Sequence, residues 1–197
     1  MNTNKLRAKD LITTAIFTVI FFAIVMVGTM TFGVVPVLYP FLVSFVALVG
    51  GTVWAYMRVK VPKTFSILIQ AVITFLLIYL MGSGWTLALG FLAGGILAEI
   101  ISGTDKYKSF KLNTAGFVTY CLGIHLGAYL MPLIAKEAYL EFCISSGMDM
   151  NYLEIYLNFM SWPVMLGAAL SCAVFAVIGM LIGKALLKKH FAKAGMV

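Results

Sequence analysis

Thirteen of the chain's fourteen Lys and Arg residues fall in alternate gaps between long apolar runs. Lys5, Arg7 and Lys9 precede the first run, and the gap after it, around 30–36, is uncharged. Arg58, Lys60 and Lys63 fill the second gap, and the third, around 81–85, is again uncharged. Lys106, Lys108 and Lys111 fill the fourth, and Lys184, Lys188, Lys189 and Lys193 follow the last run. Only Lys136 breaks the pattern, in a fifth gap that also carries Glu137, Glu141, Asp149 and Glu154. Short cytoplasmic loops of membrane proteins concentrate Lys and Arg. The alternation therefore predicts an all-α integral membrane protein, a six-transmembrane-helix bundle with both N-terminus and C-terminus cytoplasmic.

Composition agrees: 62% of the residues are hydrophobic and 11% charged, against roughly 45–50% and 25% in soluble domains. A bilayer core about 30 Å thick needs about 20 apolar residues per helix. Six such helices consume most of 197 residues, which leaves one membrane domain and no room for a soluble catalytic unit. The expected spans are 11–31, 35–57, 64–81, 85–101, 115–134 and 162–187, with an outer loop over 135–161. Lipid cannot satisfy exposed backbone groups, and the runs lack a barrel's alternation, so the spans are read as helices. The first run is too long for a signal-peptide core and is read as retained. The net charge of +7 is explained by membrane orientation and anionic headgroups, not by nucleic acid. Trp85 and Trp162 mark outer boundaries and Trp54 an inner one, as aromatic belts do.

The connections carry further detail. Gly33, Pro36 and Pro40 predict a broken or looped outer end after the first span. The loop 135–161 reads as two short amphipathic pieces separated by Gly147, with Asn151 and Glu154 fitting a helix start. It is either an outer lid or a passive interfacial hairpin. Glycines recur four apart at Gly90 and Gly94, Gly123 and Gly127, and Gly179 and Gly183, a spacing that lets helices approach closely.

No catalytic constellation is present. The run from Gly179 to Ala185 is one residue short of a phosphate-binding loop and lacks its Ser/Thr. Neither HExxH nor GxSxG occurs. The three cysteines, Cys121, Cys143 and Cys172, show no CxxC spacing, so neither a disulfide framework nor a metal site is expected. Glu99 is the single acidic residue within a span and a candidate for ion coupling, or one that reaches the inner interface. Cys121, His125 and Tyr129 share one helical stripe, opposite Gly123 and Gly127. With the glycine face packed, that stripe meets lipid or a cavity, and lipid is costly. His125 then binds a ligand or a metal, or is satisfied by a neighbouring backbone carbonyl. The twelve Met residues are scattered and read mostly as adaptable filling.

Several local segments, in order, carry a resemblance. They are Lys9-Asp10-Leu11-Ile12-Thr13 with Ile16-Phe17-Thr18, Val35-Pro36-Val37-Leu38 with Pro40, and Lys60-Val61-Pro62-Lys63. Gly84-Trp85, Lys106-Tyr107-Lys108-Ser109, and Ala185-Leu186-Leu187-Lys188-Lys189-His190-Phe191 with Lys193-Ala194-Gly195 complete the set. With the six-span topology, the chain resembles the Trep-Strep family of S components, the substrate-binding subunits of energy-coupling factor (ECF) transporters. The resemblance implies a non-enzymatic subunit of the bacterial cell membrane. It would capture a vitamin, metal or haem-like micronutrient and deliver it inward with a transmembrane T component and two ATPase subunits, which consume the ATP. It implies an outer pocket, here pointing to Tyr39 in the proline-broken segment, Trp85, His125, Tyr129 and Trp162. It implies a T-component contact on the first helix, where Thr14, Ala15 and Thr18 stand in for a small-residue patch. No intrinsic cofactor is expected; haem is the ligand that the His125 stripe and apolar walls favour. A stand-alone secondary transporter or channel is the alternative.

Overall fold

The structure, a computed structural model, describes residues 5–193, so that Ala194 and Gly195 of the resemblance lie outside it. It is all-helical, with no strand among the described residues. The long helices are α1 (Ala8–Phe32), α2 (Leu42–Lys60), α3 (Ser66–Leu80), α4 (Trp85–Gly103) and α5 (Phe110–Tyr129). Three short ones follow, α6 (Met131–Ile134), α7 (Lys136–Ser145) and α8 (Met150–Phe159), and then α9 (Trp162–Lys193). Four segments are long and apolar enough to cross a membrane: Ala8–Phe32, Tyr39–Lys60, Trp85–Gly103 and Trp162–Lys189. Helix α3 is apolar but only 15 residues long.

Element ends differ from the expected spans where local chemistry intervenes. After α1 the chain turns through Gly33 and Pro36 and enters a 3-10 turn, Tyr39–Phe41, so α2 begins seven residues later than expected. Helix α5 begins earlier, at Phe110, because the Ser109 hydroxyl accepts from the Leu112 amide at 3.3 Å. It ends at Tyr129, and Pro132 falls in the separate turn of α6, where its missing N–H costs nothing. Helices α7 and α8 are separated by Gly147 at φ +78°. The cap of α8 is Asp149, whose carboxylate accepts from the Tyr152 amide at 3.0 Å; Asn151 and Glu154 lie inside the helix.

Two glycine seams hold the bundle. A Cβ placed on Gly90 would lie 2.5 Å from the Gly123 carbonyl oxygen and 2.9 Å from the Gly127 Cα, so α4 and α5 touch backbone to backbone. A Cβ on Gly51 would lie 2.6 Å from the Gly179 carbonyl carbon, which joins α2 to α9 in the same way. Such contact gives the close packing that must replace hydrophobic drive in lipid. The second seam also carries a Ser44–Ser171 hydroxyl pair at 2.6 Å.

Between the seams sits an aromatic cluster. Trp54 packs on Phe117 and Tyr120 with ring centroids 5.1 and 5.2 Å apart, and Phe21 and Phe91 close on Tyr120 at 5.7 and 6.0 Å. All five residues are buried. Trp54 is therefore a core residue rather than part of an interfacial belt, because helical facing, not proximity to a span end, decides what it meets.

The Lys/Arg-bearing turns gather at one end of the bundle. Lys63 pairs with Asp10 at 2.6 Å, tying the α2–α3 turn to the start of α1, and Lys184 of α9 lies over the Phe110 ring at 4.6 Å. At that same end, Glu99 of α4 is buried and accepts from the Phe65, Ile67 and Leu68 amides at 2.6, 3.0 and 3.2 Å. The Tyr107 hydroxyl donates to it as well. The carboxylate thus caps the first turn of α3, where unpaired N–H groups and the helix dipole favour an anion. Burial and the adjacent Glu99 carboxylate push the Tyr107 phenol up to about 12, so it stays a donor.

Candidate functional site

At the opposite end, away from the basic turns, the helices splay around a cavity of about 950 Å³, large enough for a drug-sized ligand. Its position follows from chain breaks. Helix α1 stops at Phe32, and the α3–α4 turn needs Gly82 and Gly84 at φ +72° and +91°. Helix α5 ends before Pro132. The cavity opens among these breaks, and the short helix α7 lines one wall with Ala138, Tyr139, Phe142 and Cys143. Phe91 lines the floor and rests on Tyr120, so the aromatic cluster closes the cavity below.

Three of the sequence-derived candidates converge here. Tyr39, Trp85 and Tyr129 line the cavity. The Tyr129 hydroxyl donates to the Tyr39 carbonyl at 2.7 Å, and the two rings meet edge to face with centroids 5.3 Å apart. Tyr156 of α8 packs edge-on against Tyr39 from the other side. Trp85 is exposed at the rim. Burial raises the Cys143 thiol above its ordinary range, so it remains a neutral, soft wall group. Burial likewise raises the phenols of Tyr139, Tyr152 and Tyr156, which keeps these rings uncharged.

His125 and Trp162 do not join them. His125 is fully buried, and its Nε2–H donates to the Met165 carbonyl of α9 at 3.1 Å, while Nδ1 has no partner. One side of the ring thus has the neighbouring backbone carbonyl as its partner, and the other is left unpaired. At His125 the stripe meets α9, and only its outer member, Tyr129, reaches the cavity. Trp162 is exposed at the start of α9 and is not part of the wall. His125→Leu is accordingly expected to shift stability by no more than about 1 kcal/mol, since it removes one neutral hydrogen bond together with an orphaned nitrogen. Thermal unfolding in detergent reads this, and a loss of several times that size would reveal a larger role.

On α1, Thr14 and Thr18 are fully buried, with the Thr18 hydroxyl donating to the Thr14 carbonyl at 2.8 Å. They face the bundle rather than a partner. Ala15 is only partly buried, and the outward face at this level is Leu11, Ile12, Ile16 and Val19.

Five methionines line the cavity: Met26, Met30, Met81, Met131 and Met148. Their scatter along the chain conceals that each lies in the last turns of a helix or in a connection at the cavity end. Glu141 is the single Asp, Glu, Lys, Arg or His among the lining residues.

A family model described as "Hypothetical bacterial integral membrane protein (Trep_Strep)" matches residues 8–193. No curated protein and no solved structure matches the chain. The match and the apolar helices make this a multi-pass protein of the bacterial cell membrane. With nearly its whole length matched, the chain belongs to the Trep_Strep family of bacterial integral membrane proteins.

Proposed function

We propose that the chain is the substrate-capture subunit of an ECF-type importer, a non-enzymatic protein. It takes a micronutrient from outside and passes it inward with a T component and two ATPases. The observation that carries this reading is the 950 Å³ cavity at the end without basic turns, closed beneath by buried aromatic rings. A pocket with a floor suits capture; a channel needs a continuous path. The Lys/Arg pattern supports a cavity end that faces outside and termini in the cytoplasm, with α1 to α5 and α9 as six spans. Helix α3 rises only about 22 Å, and its Glu99 cap keeps its first turn supplied with partners below the bilayer core. The T-component contact on α1 then centres on Ala15 and the exposed Ile12, Ile16 and Val19, with Thr14 and Thr18 packing behind it. With His125 turned to Met165, haem loses the imidazole that favoured it among possible ligands.

Reconstitution tests the proposal. Purified chain in proteoliposomes is expected to import only when the T component and both ATPases are present and ATP is hydrolysed. Ion-gradient-driven uptake by the chain alone would overturn it and favour the stand-alone carrier. Ala15→Trp is expected to weaken co-purification of the T component while the protein stays monodisperse.

A further inference from the structure

Resting on the reading of the cavity as the capture site, we infer that it selects an apolar, aromatic-bearing organic molecule without net negative charge. Any positive group of that molecule is held at the Glu141 rim. The walls are aromatic rings, methionine thioethers and small hydroxyls, and among the described residues no Lys, Arg or His lines them. An anion entering this space gives up hydration and meets no cationic partner, which is costly in a low-dielectric site. The first turn of α4 at the rim has no side-chain cap, but a helix N-terminus offers only about half an elementary charge. Glu141 opposes it with a full one. The approach has the same sign, since the segment 135–161 carries four carboxylates against Lys136, and a field of one sign enriches ions of the other. Aromatic faces such as Tyr39 and Trp85 also attract cations, and thioethers adapt to irregular apolar shapes.

Tetraphenylphosphonium and tetraphenylborate have nearly the same size and shape and opposite charge, so they isolate this variable. Equilibrium dialysis against the full chain in nanodiscs of zwitterionic lipid, with empty nanodiscs subtracted, is expected to show saturable binding of the phosphonium. That binding should be at least about ten-fold tighter than for the borate, or about 1.4 kcal/mol. Ala138→Trp, which fills the cavity from an exposed position of α7, is expected to abolish it while thermal unfolding stays unchanged. Glu141→Lys is expected to narrow or reverse the preference. Equal or tighter binding of the borate overturns the inference. So does the absence of saturable phosphonium binding, or binding that Ala138→Trp does not touch. Failure to assemble with the T component and ATPases would overturn the proposed function instead, and leaves the ion preference standing.

Discussion

Glu99→Ala is expected to cost about 3–5 kcal/mol of stability, because it strips a buried carboxylate from four donors at once. Three are backbone amides in and before the first turn of α3, and the fourth is the Tyr107 hydroxyl. Arg58 deepens the loss. It is buried with its guanidinium 5.5 Å from the Tyr107 ring centroid, and among the described residues its acceptors are the Val61 carbonyl and the Ser66 hydroxyl. Glu99→Gln keeps an acceptor oxygen and is expected to lose roughly half as much. Unfolding in detergent separates the two variants. If Glu99→Ala folds with normal stability yet fails to support uptake, the carboxylate belongs to transport rather than to the helix cap.

Gly90→Leu is expected to cost about 3 kcal/mol or more, the upper range for overpacking, because the clash is with the α5 backbone and not with a side chain that can turn away. Its readout is the fraction of monodisperse protein recovered after mild heating. The matched control is Gly167→Leu. Gly167 is exposed on α9 and has nothing within 4 Å of its would-be Cβ, so replacement there is expected to be neutral or stabilising by up to about 1 kcal/mol through helix propensity. Similar losses at both positions would mean that the α4–α5 seam is not the contact described.

The helical class and the order of the long helices are legible in the sequence, because the apolar runs and charged gaps impose them directly. Helix ends are less so. A serine at position 109 and a proline at 132 decide the limits of α5, and each acts through a single hydrogen bond gained or lost. Glycine spacing revealed which faces approach closely, but not that Gly90 would meet Gly123 or that Gly51 would meet Gly179. His125 shows the limit more sharply. Periodicity places it on a stripe, yet whether that stripe meets a ligand or the Met165 carbonyl depends on where α9 lies, and no local pattern carries that. The same holds for Thr14 and Thr18, whose size suits any interface, internal or external. Tyr39, Trp85 and Tyr129 line the cavity because they sit beside chain breaks. The five cavity methionines sit beside breaks too, but carry no polarity to betray them.

The contact between α2 and α9 sets a schedule for biogenesis. Ser44 and Ser171 are separated by 127 positions, and a ribosome adds about 5–20 residues per second. Helix α2 therefore waits roughly 6–25 s in the bilayer before its partner exists. Throughout that interval Ser44 and Gly51 lie open to lipid or to whatever insertase shelters them. The final helix is what completes the scaffold around the cavity, and a chain cut short before it would offer the quality-control proteases of the membrane an unpaired small-residue face.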